Sequence, residues 1–562
     1  MTPHAAVPPP RPSVVKRFGP LTVLLAGVLV AAALASTGKS AAGPTAEKSA
    51  IGSADTKIPI SLAQAEKDGT VDRYQWDSKT CDRKTGRVML PSVYAPPCLA
   101  NRPGVKGGAT YRGVTDKTIK VVIYQAAPDD VAAALQANLD PPAKALQTQK
   151  DLIRMLEARF QMWGRKIEIV RMQGRGVDED NARADAVRVA TEIKAFASIG
   201  GPLQQDAYAE ELAARGVMCI SCGLTLPDAK YQKLAPYVWG VSQSPEQFLL
   251  SLADLVIGQL NKKKAIYAGD PSMHDKVRVF GAVNFEQDPP VFDGTAKMIE
   301  ERGKKFGFKV TKRITYQLVI PELAEKARSI ISQLKAAKVT TVFFLGDPIM
   351  PIYLTQAATD QDYYPEWIIT GTVLTDTTTF GRQFDQKQWK NAFGISTIPV
   401  MVPPEQADAW RLYKWFYGKD PAAPKTIGLN FAPIQMLMLG IHMAGPDLTP
   451  ETFRDGLFAY PPSGGSATSP QVSWGRHGFY PDPDYLGIDD MQLIWWDPTA
   501  EGVDEQGAKG KGHMRSANGG ERYLPGKMGK DPGWVQRKEG SVLSYDKPVD
   551  DLPDYPSPAG GN

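Results

Sequence analysis

Histidine and cysteine are scarce in this chain: five and four in 562 residues. Only one Cys-x-x-Cys occurs, Cys219/Cys222, with no second pair of that spacing and no histidine nearby, which argues against a zinc site. The signatures H-E-x-x-H, G-x-S-x-G and G-x-x-x-x-G-K-[ST] are all missing, and with them the most recognisable hydrolase and nucleotide-binding chemistries. No dense block of lysine and arginine stands out; 65 basic against 61 acidic residues leave a net charge of +4. Nucleic-acid binding is therefore not indicated by electrostatics. No catalytic residue and no cofactor is assigned. Beyond the first 35 residues, no segment reads as apolar enough to span a bilayer.

The length calls for two or three domains. With 43% hydrophobic and 22% charged residues the chain can bury real cores. At the start, Lys16 and Arg17 precede an apolar run from Leu21 to Ala35, with small residues Ala33 and Ala35 before Ser36. This reads as a secretory signal, with an uncleaved anchor as the alternative. Export places the four cysteines in oxidising surroundings, where they pair. Three connectivities exist, and the sequence-local one joins Cys81 to Cys98 and Cys219 to Cys222.

Residues 36–54 read as a flexible spacer and 55–110 as an irregular, disulfide-stapled extension. From about Tyr111 to Pro498 the pattern is regular. "TIKVVIYQ" (Thr118–Gln125) is a buried strand and "KIEIVRM" (Lys166–Met172) alternates like one. "DEDNARADAVRVATEIK" opens with acids, which suit a helix N-terminus. "AFASIGG" and "VMCISC" are further strands, separated by the helical "LQQDAYAEELAARG". The grammar then begins again: "KKAIYAGD", "KVTKRITYQ", "TTVFFLGD" and "EWIITG" as strands, and "PELAEKARSIISQLKAAKV" as the cleanest amphipathic helix. The expectation is an α/β protein of two Rossmann-like lobes with parallel sheets joined by a hinge. The boundaries are 111–260 for the first lobe, 261–375 for the main part of the second, and 376–500 for return segments and hinge crossings. Residues 501–562 read as a loop-like extension.

In open parallel sheets, ligands sit beyond the carboxyl ends of the strands. Those ends here are "GGPLQQD", "CGLTLPD", "GDPSMHD", "GDPIMP" and "GTVLTD". Glycine lets backbone approach a ligand closely. Any one such turn merely ends a strand; five in two lobes of an exported chain point to a cleft.

These residues resemble a family. "GVTDKTIKVVIY", "IGGPLQQDAYA", "KKAIYAGD" and, most specifically, "TTVFFLGDPIMPIYLTQAATDQDYYPEWIITG" are similar to the type I periplasmic solute-binding proteins of ABC transporters, the branch that includes the leucine/isoleucine/valine-binding proteins. The likeness spans Tyr111 to Pro498. It implies two lobes closing on a small solute, an amino acid, amide or short carboxylate, for delivery to permease subunits. It places the ligand against Pro202, Leu203 and Gln204 after the third strand, and against Gly223, Leu224 and Thr225 after the fourth. The Thr225 hydroxyl would take a carboxylate. In the second lobe, amino-acid binders usually offer an acid where this chain has Gly371, Thr372 and Val373; Asp347, in the preceding turn, is the candidate substitute. The turn "GDPSMHD" carries Met273 and His274 where an aromatic is often found. These departures put an amide, a short carboxylate or an aromatic solute beside an α-amino acid as candidates.

Cys219 and Cys222 then fall at the end of a first-lobe strand. A disulfide there would fix the turn carrying Thr225 in advance of binding. A thiol-disulfide oxidoreductase is the competing reading, and it needs a lowered thiolate pKa and a thioredoxin-like setting. A ligand sensor with the same fold is the third.

Overall fold

The computed structural model describes residues 59–101, 105–128, 130, 139–202, 206–222, 226–286 and 292–560. The leader and spacer expected over residues 1–54 lie outside that range.

The chain opens with a short antiparallel pair, β1 (Cys81–Asp82) and β2 (Arg87–Val88), beside the Cys81–Cys98 disulfide, whose Cα atoms are 5.5 Å apart. Five strands follow: β3 (Thr118–Gln125), β4 (Lys166–Gln173), β5 (Ala197–Ile199), β6 (Met218–Ile220) and β7 (Val238–Trp239). They form one wholly parallel sheet in the order β4-β3-β5-β6-β7. The apolar run of β3 is buried on both faces, as a central parallel strand requires. Helices Pro142–Glu157, Glu179–Arg188, Ala207–Ala214 and Asp228–Leu234 connect the strands. Pro142–Glu157 lays Leu152, Ile153 and Leu156 against the sheet. Glu179–Arg188 begins under an Asp178 cap that accepts from the Asn181 amide at 2.9 Å, with two acids in its first turn favoured by the helix dipole.

The second sheet repeats the wiring. Its strands β8 (Phe280–Phe285), β9 (Val310–Tyr316), β10 (Thr341–Leu345), β11 (Glu366–Ile369) and β12 (Ala392–Ser396) are parallel in the order β9-β8-β10-β11-β12. Both lobes thus show the 2-1-3-4-5 doubly wound order. The second sheet continues into antiparallel β13 (Met491–Val503), which pairs with β14 (Lys509–Ser516) and β15 (Arg522–Tyr523).

Two apolar cores correspond to the two sheets. Helices Asp408–Tyr417, Ile427–Ala444 and Pro450–Phe458 bury their apolar residues in the first core. There Trp239 of β7 meets Phe453, Phe458 and Tyr485 with ring centroids 5.6, 6.1 and 4.9 Å away. Among the described residues, the chain passes between lobes three times before β13 is complete. It crosses from β7 into helix Pro245–Ala253, from β12 into helix Asp408–Tyr417, and from Leu486 into β13. The first crossing is held by a capping box, Ser244 with Gln247.

Three expectations are corrected. "KKAIYAGD" is not a strand: Ile266 is 50% exposed, and Lys264 makes only an isolated bridge to Val277. The first strand of the second lobe is Phe280–Phe285, hidden from pattern reading by Gly281 and Asn284. The C-terminal region is not all loop, because β14 is an eight-residue strand and Trp534 and Val535 are buried in the second core. Finally, helix Ile427–Ala444 is by length and composition apolar enough to cross a membrane, yet 72% of it is buried inside the protein.

Candidate functional site

The 2-1-3-4-5 order creates a switch point in each lobe, between β3 and β5 and between β8 and β10, and ligand sites lie beyond the carboxyl ends of the strands there.

In the first lobe, Gly200 (φ +76°) and Gly201 follow β5. A Cβ on Gly201 would stand 2.8 Å from the Tyr208 ring and 2.9 Å from the Cys222 carbonyl oxygen. The turns after β5 and β6 therefore lie side by side, so close that only glycine fits. Tyr208 is anchored by a 2.9 Å hydrogen bond with the Ser198 hydroxyl. Cys219 and Cys222 are paired, with Cα atoms 5.6 Å apart, and are 0% and 6% exposed. Between them Ser221 adopts a left-handed conformation (φ +53°). A small cavity beside the disulfide is lined by Asp206, Ser221, Tyr231 and Trp239. The Asp206 charge is met by Lys230 Nζ at 2.8 Å. Pro202 is buried at the edge of its turn. The expected contacts Leu203, Gln204, Gly223, Leu224 and Thr225 lie outside the described residues.

In the second lobe the turns after β10 and β11 are knitted together. Asp347 is 1% exposed. One carboxylate oxygen accepts from the Ile349 and Met350 amides at 2.8 and 2.9 Å, and the other from the Tyr316 hydroxyl. Burial raises its pKa, while these donors pull it down. Both oxygens are thus engaged in holding the start of helix Met350–Asp360 and the end of β9. Thr372 accepts from the Gly346 amide at 3.2 Å and shares a 2.9 Å hydrogen bond with Thr370, whose hydroxyl donates to the Phe344 carbonyl at 2.6 Å. Asp347 and Thr372 are therefore neighbours. Pattern reading missed Asp376 and Ser396, which meet at 2.5 Å across the β11 and β12 ends. Burial lifts the Asp376 carboxyl to about 7. It also missed Asn284, next to last in β8, fully buried with neither end of its amide hydrogen-bonded among the described residues. No sequence signal distinguishes such an asparagine from a turn residue.

Met273 and His274 lie elsewhere. Pro271–Met273 is a 3-10 turn, and the His274 ring is bonded to the Ala268 carbonyl at 2.8 Å. The adjoining Gly269 amide donates to the carbonyl of Tyr364, just ahead of β11. This places both residues at the amino ends of β8 and β11, opposite Asp347 and Thr372. His442 is a core residue: its Nδ1 accepts from the Gln161 amide at 2.8 Å, its Nε2 bonds the Pro97 carbonyl at 3.0 Å, and burial lowers its pKa to about 4.

The carboxyl ends of the two sheets meet at the first crossing. Glu246 accepts from the Asp228 amide at 3.1 Å, on the first-lobe side. Two residues on, Phe248 comes within 3.4 Å of a Cβ built on Gly371, at the end of β11. Behind them Gln247 donates to Asp484 at 2.7 Å. The groups there are acidic: Asp228 and Glu246 are half-buried, and Asp484 and Asp489 are buried. Asp228 is raised to about 6, chiefly by burial and then by the nearby Glu246 and Asp482 charges. Asp484 lies well above the usual range and Asp489 reaches about 7, burial leading in both. Among the described residues, no group of three or more histidine, cysteine or acidic residues could hold a metal ion.

The arrangement is that of a two-lobed α/β protein with corresponding strand ends facing one hinge. No family model and no curated protein matches the chain. Among solved structures it is similar to a solute-binding protein of an ABC transporter from Rhodopseudomonas palustris in complex with 4-hydroxybenzoate (15% identity, TM-score 0.48, 75% of this chain and 100% of that one). It is also similar to an amino acid ABC transporter substrate-binding protein from Pseudomonas fluorescens Pf-5 (10%, 0.49, 76% and 99%). A third is the branched-chain amino acid transporter substrate binding protein from Streptococcus pneumoniae in complex with isoleucine (15%, 0.42, 71% and 100%).

Proposed function

We propose that this chain is an exported solute-binding protein that captures a small polar metabolite between its lobes and hands it to the permease of an ABC importer. The observation that carries the reading is the convergence of both sheets' carboxyl ends on helix Pro245–Ala253, with Glu246 on Asp228 and Phe248 against Gly371. On this reading the first lobe offers the turns at Leu203–Gln204 and Gly223–Thr225, and the second offers Thr372. Asp347 is spoken for by Tyr316 and two amides, so no acid in that turn is spare for a ligand ammonium. This favours an amide, a short carboxylate or an aromatic acid over an α-amino acid. Met273 and His274 fall outside the site so defined. The buried disulfide acts as a staple of the first-lobe turn; its 0% and 6% exposure argues against an oxidoreductase centre.

The test is a thermal-shift panel of amino acids, amides, short carboxylates and aromatic acids. A true ligand at one hundred times its Kd adds about 2.7 kcal/mol of stability. No stabilisation by any compound, together with dithiol-dependent disulfide reduction that Cys219→Ser abolishes, would replace this reading with the enzymatic one.

A further inference from the structure

The chain crosses between the lobes a fourth time, after the folded core is complete. Val542 exchanges two 2.9 Å backbone hydrogen bonds with Ser516 of β14, which fixes it to the second lobe. Two residues later Ser544 bridges in parallel to Met401, and the Tyr545 amide donates to the Met401 carbonyl at 2.9 Å. Met401 belongs to the second crossing. Asp550 then accepts from the Thr468 and Ser469 hydroxyls at 3.1 and 2.6 Å, in the segment leading to the third crossing. The far end is held on the first lobe. The Trp415 indole donates to the Tyr555 carbonyl at 2.8 Å, and the Ser557 hydroxyl donates to the Trp415 carbonyl at 2.5 Å. The Tyr555 hydroxyl donates to Asp82 at 2.9 Å, in the loop stapled by Cys81 and Cys98.

We propose that residues 542–557 form a strap that narrows the range of angles the two lobes can adopt. Hinge motion is absorbed by a few crossing residues. Here the crossings are accompanied by a segment anchored on each lobe and pinned to the hinge between. Chain between anchors extends by at most about 3.6 Å per residue, and only one residue separates Val542 from the first hinge contact at Ser544. Rotation of one lobe against the other must therefore break anchors or stop when that slack is used. The inference presupposes that the lobes move, as the binding reading requires, but its test needs no ligand.

Asp546 and Lys547 are exposed, so the strap can be cut after folding. A specific protease site is inserted between them in the full chain. Spin labels are placed on Glu192→Cys in the first lobe and Gln333→Cys in the second, both exposed positions; the native cysteines are paired. Pulsed EPR then compares inter-lobe distances before and after cleavage. The expected result is a broader distribution with its centre shifted on cutting. A chain ended at Lys547 should reproduce it, which covers the case in which the cut ends stay docked. Equal distributions in uncut, cut and shortened proteins overturn the strap. If the shortened chain does not fold, the cut protein carrying Trp415→Phe and Tyr555→Phe, which lacks two of the first-lobe anchors, decides instead. A binding panel without hits would sink the functional reading and leave these distances unchanged.

Discussion

In the first lobe, the turn after β6 is closed by a covalent bond between Cys219 and Cys222, whereas the second lobe closes its turns after β10 and β11 with hydrogen bonds around Asp347, Thr372 and Asp376. The strand order is the same in both. One topology therefore tolerates two ways of fixing backbone at a strand end. A disulfide is indifferent to pH and vulnerable to reductant; a buried carboxylate is the reverse. The lobes should answer differently to the two conditions.

The largest separation comes from Glu366→Ala. Glu366 and Arg278 form a bidentate pair at 2.7 and 2.8 Å with side chains 0% and 1% exposed, inside the second lobe only. Removing one partner of a buried pair costs about 3–5 kcal/mol. With two independent cores, denaturant unfolding should show only the second-lobe transition moving; an equal shift of both would break the comparison.

Acidity gives the next effect. Asp376 titrates near 7 when folded against 3.8 ordinarily. Between those values the folded form keeps a proton the unfolded form has lost, so stability falls as pH rises through the window, by at most about 1.4 kcal/mol per pH unit. Asp376→Asn should flatten the second-lobe melting temperature between pH 5 and 7. His442, lowered to about 4, acts oppositely in the first lobe: its contribution grows as pH rises from 4 to 6.5.

Asp347→Ala strands the Tyr316 hydroxyl and two helix amides, an expected loss of about 2–3 kcal/mol. Hydrogen exchange should quicken at Ile349 and Met350 while first-lobe amides keep their rates. Smallest is the double change Cys219→Ser and Cys222→Ser. Opening so short a loop is worth about 2 kcal/mol, and the shift should appear in the first-lobe transition alone. If reduction of wild-type protein moved only the second lobe, the assignment of staples to lobes would be reversed.

What the sequence discloses follows burial. β3 and β10 are runs of apolar residues because parallel central strands are covered on both faces, and pattern reading finds them. Phe280–Phe285 escapes because Gly281 makes room for Leu334 and Val339, and Asn284 breaks the apolar run. "KKAIYAGD" has the composition of a strand, yet its partners are loop groups at Tyr364 and Val277, which only the fold supplies. The candidate turns are visible as Gly, Asp and Thr clusters. Their bonding is not: Asp347 answers to Tyr316, thirty-one residues earlier, and nothing local announces it.

The segment between Arg87 and Pro97 bears on where this protein can be divided. Val88, Leu90 and Ala95 are packed into the first core. Tyr94 donates to the Pro470 carbonyl, Ser92 to Asp408, and Pro97 receives the His442 ring. A recombinant fragment begun at Tyr111, where the sheet pattern starts, would leave that groove unfilled and an imidazole facing water. The smallest expressible unit must keep the stapled hairpin, however dispensable its composition makes it look.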